Sequence, residues 1–340
     1  MTGSSQHNRP ALLEVRDLSL SYHNHEQLAI DRVSFSIASG TTLGLVGASG
    51  AGKSSIARAI MRLVEPDSGE ILFKGESITR MDSKQLLAVR QRMQIVFQDP
   101  SASLSPMRTV EQTLLEPLDH FAIGDADYRF EKVRRSLDTV GLGHDVLRRY
   151  PHQFSSGQQQ RIAIARALVT NPELLIADEA VSALDVSIQA QILQLIRTLQ
   201  KELGIAFLFI SHDLGVIRQI ADEIAVTYRG QLIEQSPADT FFNEPAHPYS
   251  RTLLSYACEI SPPHLASLKW QLERGRTATG TPSHCLFAPN CPYEMSVCEE
   301  LEPADHTVPL KNQHTLGPHC VKCHLYNEAT TNEANSNETS

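Results

Sequence analysis

A chain of 340 residues with 41% hydrophobic residues can bury one large core or two smaller ones, which excludes an intrinsically disordered protein. Its formal charge of -9 argues against a dedicated nucleic-acid binder, since phosphate-backbone affinity needs clustered Lys and Arg. The longest apolar runs, such as IAFLFI at 205–210, are strand-sized and far short of the roughly 20 residues that cross a bilayer, and MTGSSQHNRPALLEV lacks a secretory pattern, so a cytoplasmic location is expected.

Residues 1–10 are polar, and 326–340 are almost devoid of apolar side chains; both ends are expected to be disordered. LLEVRDLSLSY (12–22) and VSFSIASG (33–40) alternate in the manner of antiparallel strands. TTLGLVG (41–47), LLIAD (174–178) and IAFLFIS (205–211) are short continuous apolar runs, typical of strands buried on both faces. Helical periodicity fills SSIARAIMRLV (54–64) and IQAQILQLIRTLQKELG (188–204). Residues 101–150 are polar and helical, with turn punctuation at Pro106, Pro117, Gly124, Gly141 and Gly143, and predict an inserted helical subdomain reaching to about residue 165. After HPYSRTLLSYA (247–257) the chain turns to Pro, His and Cys without clear periodicity. The expected organisation is an α/β domain over 11–258, its sheet partly antiparallel, and a small cysteine-containing domain over 259–325.

GASGAGKSS (47–55) fits the phosphate-loop pattern G-x-x-x-x-G-K-S, with a strand pattern before it and a helical one after it. Gly47, Gly50 and Gly52 let backbone amides curl around phosphates, Lys53 supplies a point charge and Ser54 a hydroxyl for magnesium. LLIADEA (174–180) ends a buried strand with two adjacent carboxylates. Burying two unpaired acids is costly, so Asp178 suits magnesium, through its water shell, and Glu179 the general base or water-orienting group. Gln98 after QIVF and His212 after FLFIS stand at the ends of apolar runs, where Gln98 would sense magnesium and the attacking water and His212 would bond the γ-phosphate.

In this order, the phosphate loop, VFQDP with Gln98, FSSGQQQR (154–161), LLIADEAVSALD and FISHD resemble the ATP-binding cassette (ABC) ATPases over roughly residues 11–325. HPYSRTLLSYA and the cysteine tail resemble the oligopeptide/dipeptide permease branch. The resemblance implies ATP and Mg2+ as ligands, with Ser49 and Ser55 among the nucleotide contacts and Tyr22 stacked on adenine. It implies a head-to-tail ATPase pair, the second subunit a paralogue, in which Ser155, Gly157 and Gln158 close on ATP held by the other subunit and Asp185 lines the seam. Two transmembrane permease subunits, an extracytoplasmic peptide-binding protein and a peripheral place on the cytoplasmic face of the inner membrane follow from the same resemblance. It leaves open a different cargo, such as a nickel complex or glutathione, and a soluble ABC ATPase is the alternative of another class.

Three positions depart from the family pattern: Ser156 stands at the first glycine of SGGQ, Ala48 replaces the acid of the phosphate loop, and Ala180-Val181 replaces Pro-Thr. A serine held at positive φ would cost about 1–2 kcal/mol, whereas serine at a helix start is well tolerated. Five of the six cysteines, Cys285, Cys291, Cys298, Cys320 and Cys323, fall near the C-terminus, at gaps unlike a zinc ribbon. The resemblance implies a [4Fe-4S] cluster on Cys285, Cys291, Cys298 and Cys323; thiolates suit zinc equally, and free thiols are the remaining alternative.

Overall fold

The computed structural model describes residues 11–22, 28–257, 284–309 and 318–327. The segments 1–10 and 328–340 lie outside the described residues, as do 258–283, where the second domain was expected to begin.

Strands β1 (Ala11–Leu20), β2 (Ile30–Ala38), β4 (Ser68–Phe73) and β5 (Glu76–Ser77) form an antiparallel sheet in the order β2-β1-β4-β5. Its inward residues, among them Leu13, Val15, Leu18, Val33, Phe35 and Ile71, pack over helix α1 (Lys53–Ile60) and one face of the main sheet. The sequence periodicity runs to Val64, but α1 stops at Ile60 because Arg62 takes a left-handed φ of 49°.

The main sheet has eight strands, in the order β11 (Asp305–Val308), β12 (His319–Lys322), β10 (Gln231–Pro237), β9 (Glu223–Tyr228), β3 (Thr42–Val46), β8 (Ala206–Ile210), β7 (Leu174–Asp178) and β6 (Met93–Val96). Its parallel centre comprises β3, β6, β7, β8 and β9. Every residue of β3, β7 and β8 is buried, which is why these strands read as unbroken apolar runs. Helix α2 (Ser83–Arg92) leads into β6 and is started by a capping box from Asp82 to Gln85.

Between β6 and β7 lies the helical insertion: α3 (Pro100–Ser103), α4 (Val110–His120), α5 (Ala126–Thr139) and, after two 3-10 turns, α6 (Ser156–Leu168). Pro117, expected to mark a turn, sits inside α4. Burial of Val110, Leu114 and Leu118 on one face of α4 offsets the roughly 3 kcal/mol that an interior proline costs. Helix α7 (Val186–Leu203) and helix α8 (Leu214–Ile220) then flank the sheet, and Gly204 closes α7 in the left-handed conformation.

Beyond β10 (Gln231–Pro237) come α9 (Ala238–Asn243) and α10 (Pro248–Ala257). The cysteine segment supplies α11 (Ser296–Glu300), β11 (Asp305–Val308) and β12 (His319–Lys322). The sequence sets this segment apart as a small domain, and its described part extends the main sheet: β12 pairs with β10 at Glu234 and Gln235, and β11 pairs with β12. The unpaired edge of β10 explains the pairing, since a strand edge left open to solvent is a template for another strand.

Candidate nucleotide-binding and hydrolysis site

The predicted residues gather where β3, β7 and β8 end, the end at which parallel α/β sheets hold ligands. The loop between β3 and α1 carries three glycines at positive φ, with Gly47 at 154°, Gly50 at 79° and Gly52 at 93°. A Cβ on Gly47 would lie 2.3 Å from the Thr227 carbonyl oxygen, and one on Gly52 would lie 2.4 Å from that of Ala29. The loop therefore runs against backbone on both sides, while Ala48, Ser49 and Gly50 face outward.

Lys53 is 5% exposed and folds back over the loop, its Nζ donating to the carbonyls of Gly47 and Ala48 at 2.9 Å each. Burial lowers its affinity for a proton, against the pull of Glu179 and Asp178. Ser54 Oγ donates to Asp178 Oδ1 at 3.0 Å. Burial raises the Asp178 carboxyl above its usual range, with the Ser54 hydrogen bond acting against the rise. A hydroxyl and a carboxylate one hydrogen bond apart fit a hard divalent cation, which takes oxygen ligands.

Glu179 follows β7 at a φ of 51°, unusual for a side-chain-bearing residue. Its amide donates to the Ile210 carbonyl at 3.0 Å, tying it to the end of β8, and its Oε1 lies 3.4 Å from His212 Nδ1. Gln98 is exposed, with its Nε2 donating to Ser182 Oγ at 3.3 Å; Ser182 Oγ in turn donates to the Glu179 carbonyl at 3.0 Å. Gln98, Glu179 and His212 are thus joined by short links. Tyr22 is half-buried against the antiparallel sheet and donates through its hydroxyl to Ser55 Oγ at 3.2 Å.

The FSSGQ element forms the start of α6. Ser155 is the N-cap, and its side chain and that of Gln158 satisfy each other's amides in a capping box, while both residues stay exposed. Gly157 is buried against α7, where a Cβ would meet Ile188 Cγ2 at 2.4 Å. Ser156 is the first residue of the helix and is absent from the positive-φ positions, so its side chain imposes no backbone strain. Replacing Ser156 with Gly is therefore expected to change ATP turnover by less than about tenfold, as measured by phosphate release. Asp185, the N-cap residue of α7, is exposed.

The cluster or zinc site expected on Cys285, Cys291, Cys298 and Cys323 is not supported. Cys298 and Cys323 are buried and Cys285 and Cys291 half-buried, and the Cys285 amide bonds the Cys298 carbonyl at 2.9 Å. Among the described residues, however, no three His, Cys, Asp or Glu side chains are arranged to hold a metal ion. Burial pushes Cys291 up to about 12 and Cys323 to about 11, and the neighbouring cysteines add to both rises.

One residue joined to the loop carries no chemical assignment in the sequence reading. Tyr249 accepts a hydrogen bond of 3.0 Å from the Ala48 amide. HPYSRTLLSYA marks its position, but no local spacing ties that motif to a loop two hundred residues upstream.

The comparisons with known proteins agree with this geometry. A family model described as "ABC transporter" matches residues 30–182, and one described as "Oligopeptide/dipeptide transporter, C-terminal region" matches residues 233–298. The oligopeptide transport ATP-binding protein AppF of Bacillus subtilis strain 168 is 40% identical over 94% of this chain and 98% of its own length. YkfD of the same organism is 41% identical over 96% and 98%, respectively. Among solved structures, CbiO1 of Clostridium perfringens, part of an ABC transporter complex, aligns with a TM-score of 0.63 at 28% identity, over 69% of this chain and 92% of that one. The ATP-binding cassette MJ0796, in a dimeric post-hydrolysis state bound to ADP and Pi, aligns at 0.61 and 28% identity, over 66% and 98%. The chain belongs to the ATP-hydrolysing, ATP-binding proteins of ABC transporters. Among the described residues, no helix is long and apolar enough to cross a membrane.

Proposed function

We propose that this chain is the ATPase subunit of a peptide importer. The observation that carries this reading is the relation to the oligopeptide transport protein AppF, which spans nearly the whole of both chains and includes the oligopeptide-type C-terminal region. ATP occupies the loop over 47–55, with the amides of Ser49, Gly50 and Gly52 and the side chains of Lys53, Ser54 and Ser55 on its phosphates and Tyr22 against adenine. Ser54, Asp178 and Gln98 would hold Mg2+, which when bound would neutralise charge on the phosphates.

Glu179 accepts the proton of the attacking water, and His212, fixed beside it, bonds the γ-phosphate. Ser155, Gly157, Gln158 and Asp185 act on ATP held by a second ATPase subunit, a paralogue docked head to tail; the exposure of Ser155, Gln158 and Asp185 suits that role, while Gly157, buried against α7, serves by letting the helix start lie close to α7. Closure of the pair is passed through the helical insertion and the residues after Gln98 to two transmembrane permease subunits, and an extracytoplasmic peptide-binding protein delivers the cargo. The subunit thus works at the cytoplasmic face of the inner membrane. Binding energy moves the domains, and hydrolysis makes the cycle directional.

The test is uptake of labelled di- and tripeptides by cells lacking this chain, restored with the native protein. Uptake is expected to return with the native chain, and the protein to sediment with membranes. Membrane association without a peptide defect would assign another solute; no membrane association would assign a soluble ATPase.

A further inference from the structure

The HPY motif and the cysteine segment have no part in the chemistry above, yet both reach the phosphate loop through a buried chain of contacts. Tyr249, 4% exposed, holds the Ala48 amide through its hydroxyl. Its own amide donates to His247 Nδ1 at 3.0 Å, which requires that nitrogen to be free of a proton. Burial lowers the His247 ring to about 4, so the requirement is met at neutral pH. The amides of Ala246 and His247 donate to Glu234 Oε1 and Oε2 at 2.8 Å each, and His319 Nε2, from β12, meets Oε1 at 2.8 Å.

Glu234 is 1% exposed, and a carboxylate so deeply buried persists only where its oxygens are satisfied. Burial pushes it up, but the bonds from His319 and the two amides bring it below its ordinary value overall. The cysteine segment makes a second, separate contact. The Phe287 ring lies edge-on to Tyr249, with centroids 5.5 Å apart, and to Tyr228 at the same distance, while Tyr228 and Tyr249 are 4.6 Å apart.

We propose that Tyr249 is a positioning residue for the phosphate loop and that β12 sets its place through His319, Glu234 and His247, so that the C-terminal segment tunes nucleotide affinity. The first limb of the loop is held by the Ala48 amide on Tyr249, by the Gly47 and Ala48 carbonyls on Lys53, and by the Ala48 carbonyl on the Ala51 amide at 3.2 Å. A lysine that turns to phosphate gives up those carbonyls, which leaves the Tyr249 bond as the one hold from outside the loop, beside the loop's own Ala51 amide, to keep that limb in register while ATP is bound. The edge-on ring of Phe287, and the Glu234 carboxylate that His319 bonds and that holds His247, fix Tyr249 from two sides.

The test is ATP binding by the purified full-length chain, with folding of each variant checked by circular dichroism at the binding temperature. Tyr249→Phe keeps the ring in its stack and removes the acceptor for the Ala48 amide; ATP is expected to bind about fivefold more weakly, the size of one hydrogen bond. His319→Ala is expected to weaken binding in the native background and not further in the Tyr249→Phe background, with His319→Gln, which keeps an N–H donor, restoring most of the loss. A purely structural role would lower the unfolding midpoint without moving the affinity of the folded protein. Native affinity in Tyr249→Phe, or losses that add in the double variant, would overturn the proposal. Should His319→Ala not fold, Phe287→Leu takes its place, with the same non-additivity expected against Tyr249→Phe.

Discussion

Glu179→Gln is expected to slow ATP turnover by roughly 10²- to 10⁴-fold, the range over which a positioned general base accelerates a reaction. The substitution keeps the volume and the capacity to bond His212, so the surroundings need not move. What is lost is the proton acceptor. The backbone argues for the same role: Glu179 takes a φ of 51°, a conformation that costs an L-residue about 1–2 kcal/mol, and it is anchored by the Ile210 carbonyl on one side and Ser182 on the other. Such a turn carries the side chain out of the buried strand β7 toward His212 at 3.4 Å, while Asp178, one residue earlier, stays inside against Ser54. Two neighbouring acids are thereby given different surroundings, which suits different tasks. Phosphate release under saturating ATP measures the effect. A variant hydrolysing at the native rate would remove Glu179 from the base role.

That pair was legible in the sequence because its signals are local. LLIADEA shows a buried strand ending in acids, and GASGAGKSS shows glycine where the backbone must turn left-handed and lysine and serine where phosphate chemistry needs them. The buried centre of the sheet was equally open to reading, since β3, β7 and β8 bury every residue and leave no polar alternation. The edge was not. β12 is four residues long, and its pairing with β10 joins positions 234 and 321, a register that no local pattern specifies.

The link from Tyr249 to the loop was hidden for the same reason: it depends on β9, β10 and α10 arriving beside β3, not on any spacing along the chain. Pro117 gives the converse case, in which a local signal for a turn is overridden by the face that α4 buries. At Ser156, sequence alone leaves open whether the backbone is strained, and the helix start at that residue removes the strain. Tertiary packing decides the first two of these outcomes, whereas the third follows from the local capping box of Ser155 and Gln158.

Gly52→Ala is expected to weaken ATP binding by more than about 100-fold and to lower the unfolding midpoint. Two effects add at this position. The φ of 93° disfavours an L side chain by about 1–2 kcal/mol, and the new Cβ would stand 2.4 Å from the Ala29 carbonyl oxygen, which is backbone and cannot turn aside. Relieving that overlap shifts the loop or the chain before β2, a rearrangement of the kind that costs about 1–3 kcal/mol in packed interiors. Gly52 is also the N-cap of α1, with its carbonyl accepting the Ile56 amide at 3.0 Å, so the helix start moves with it. Amides at that start are the ones proposed above to hold phosphate, and each hydrogen bond to a charged group is worth about 1.5–3 kcal/mol, which makes a displacement of two of them enough for the expected loss. Gly50→Ala supplies the control: its φ of 79° is equally left-handed, but nothing lies within 4 Å of the added Cβ. A loss of about tenfold there, beside the larger loss at Gly52, would divide backbone conformation from close approach; equal losses would mean that the wedge against Ala29 does not govern the loop.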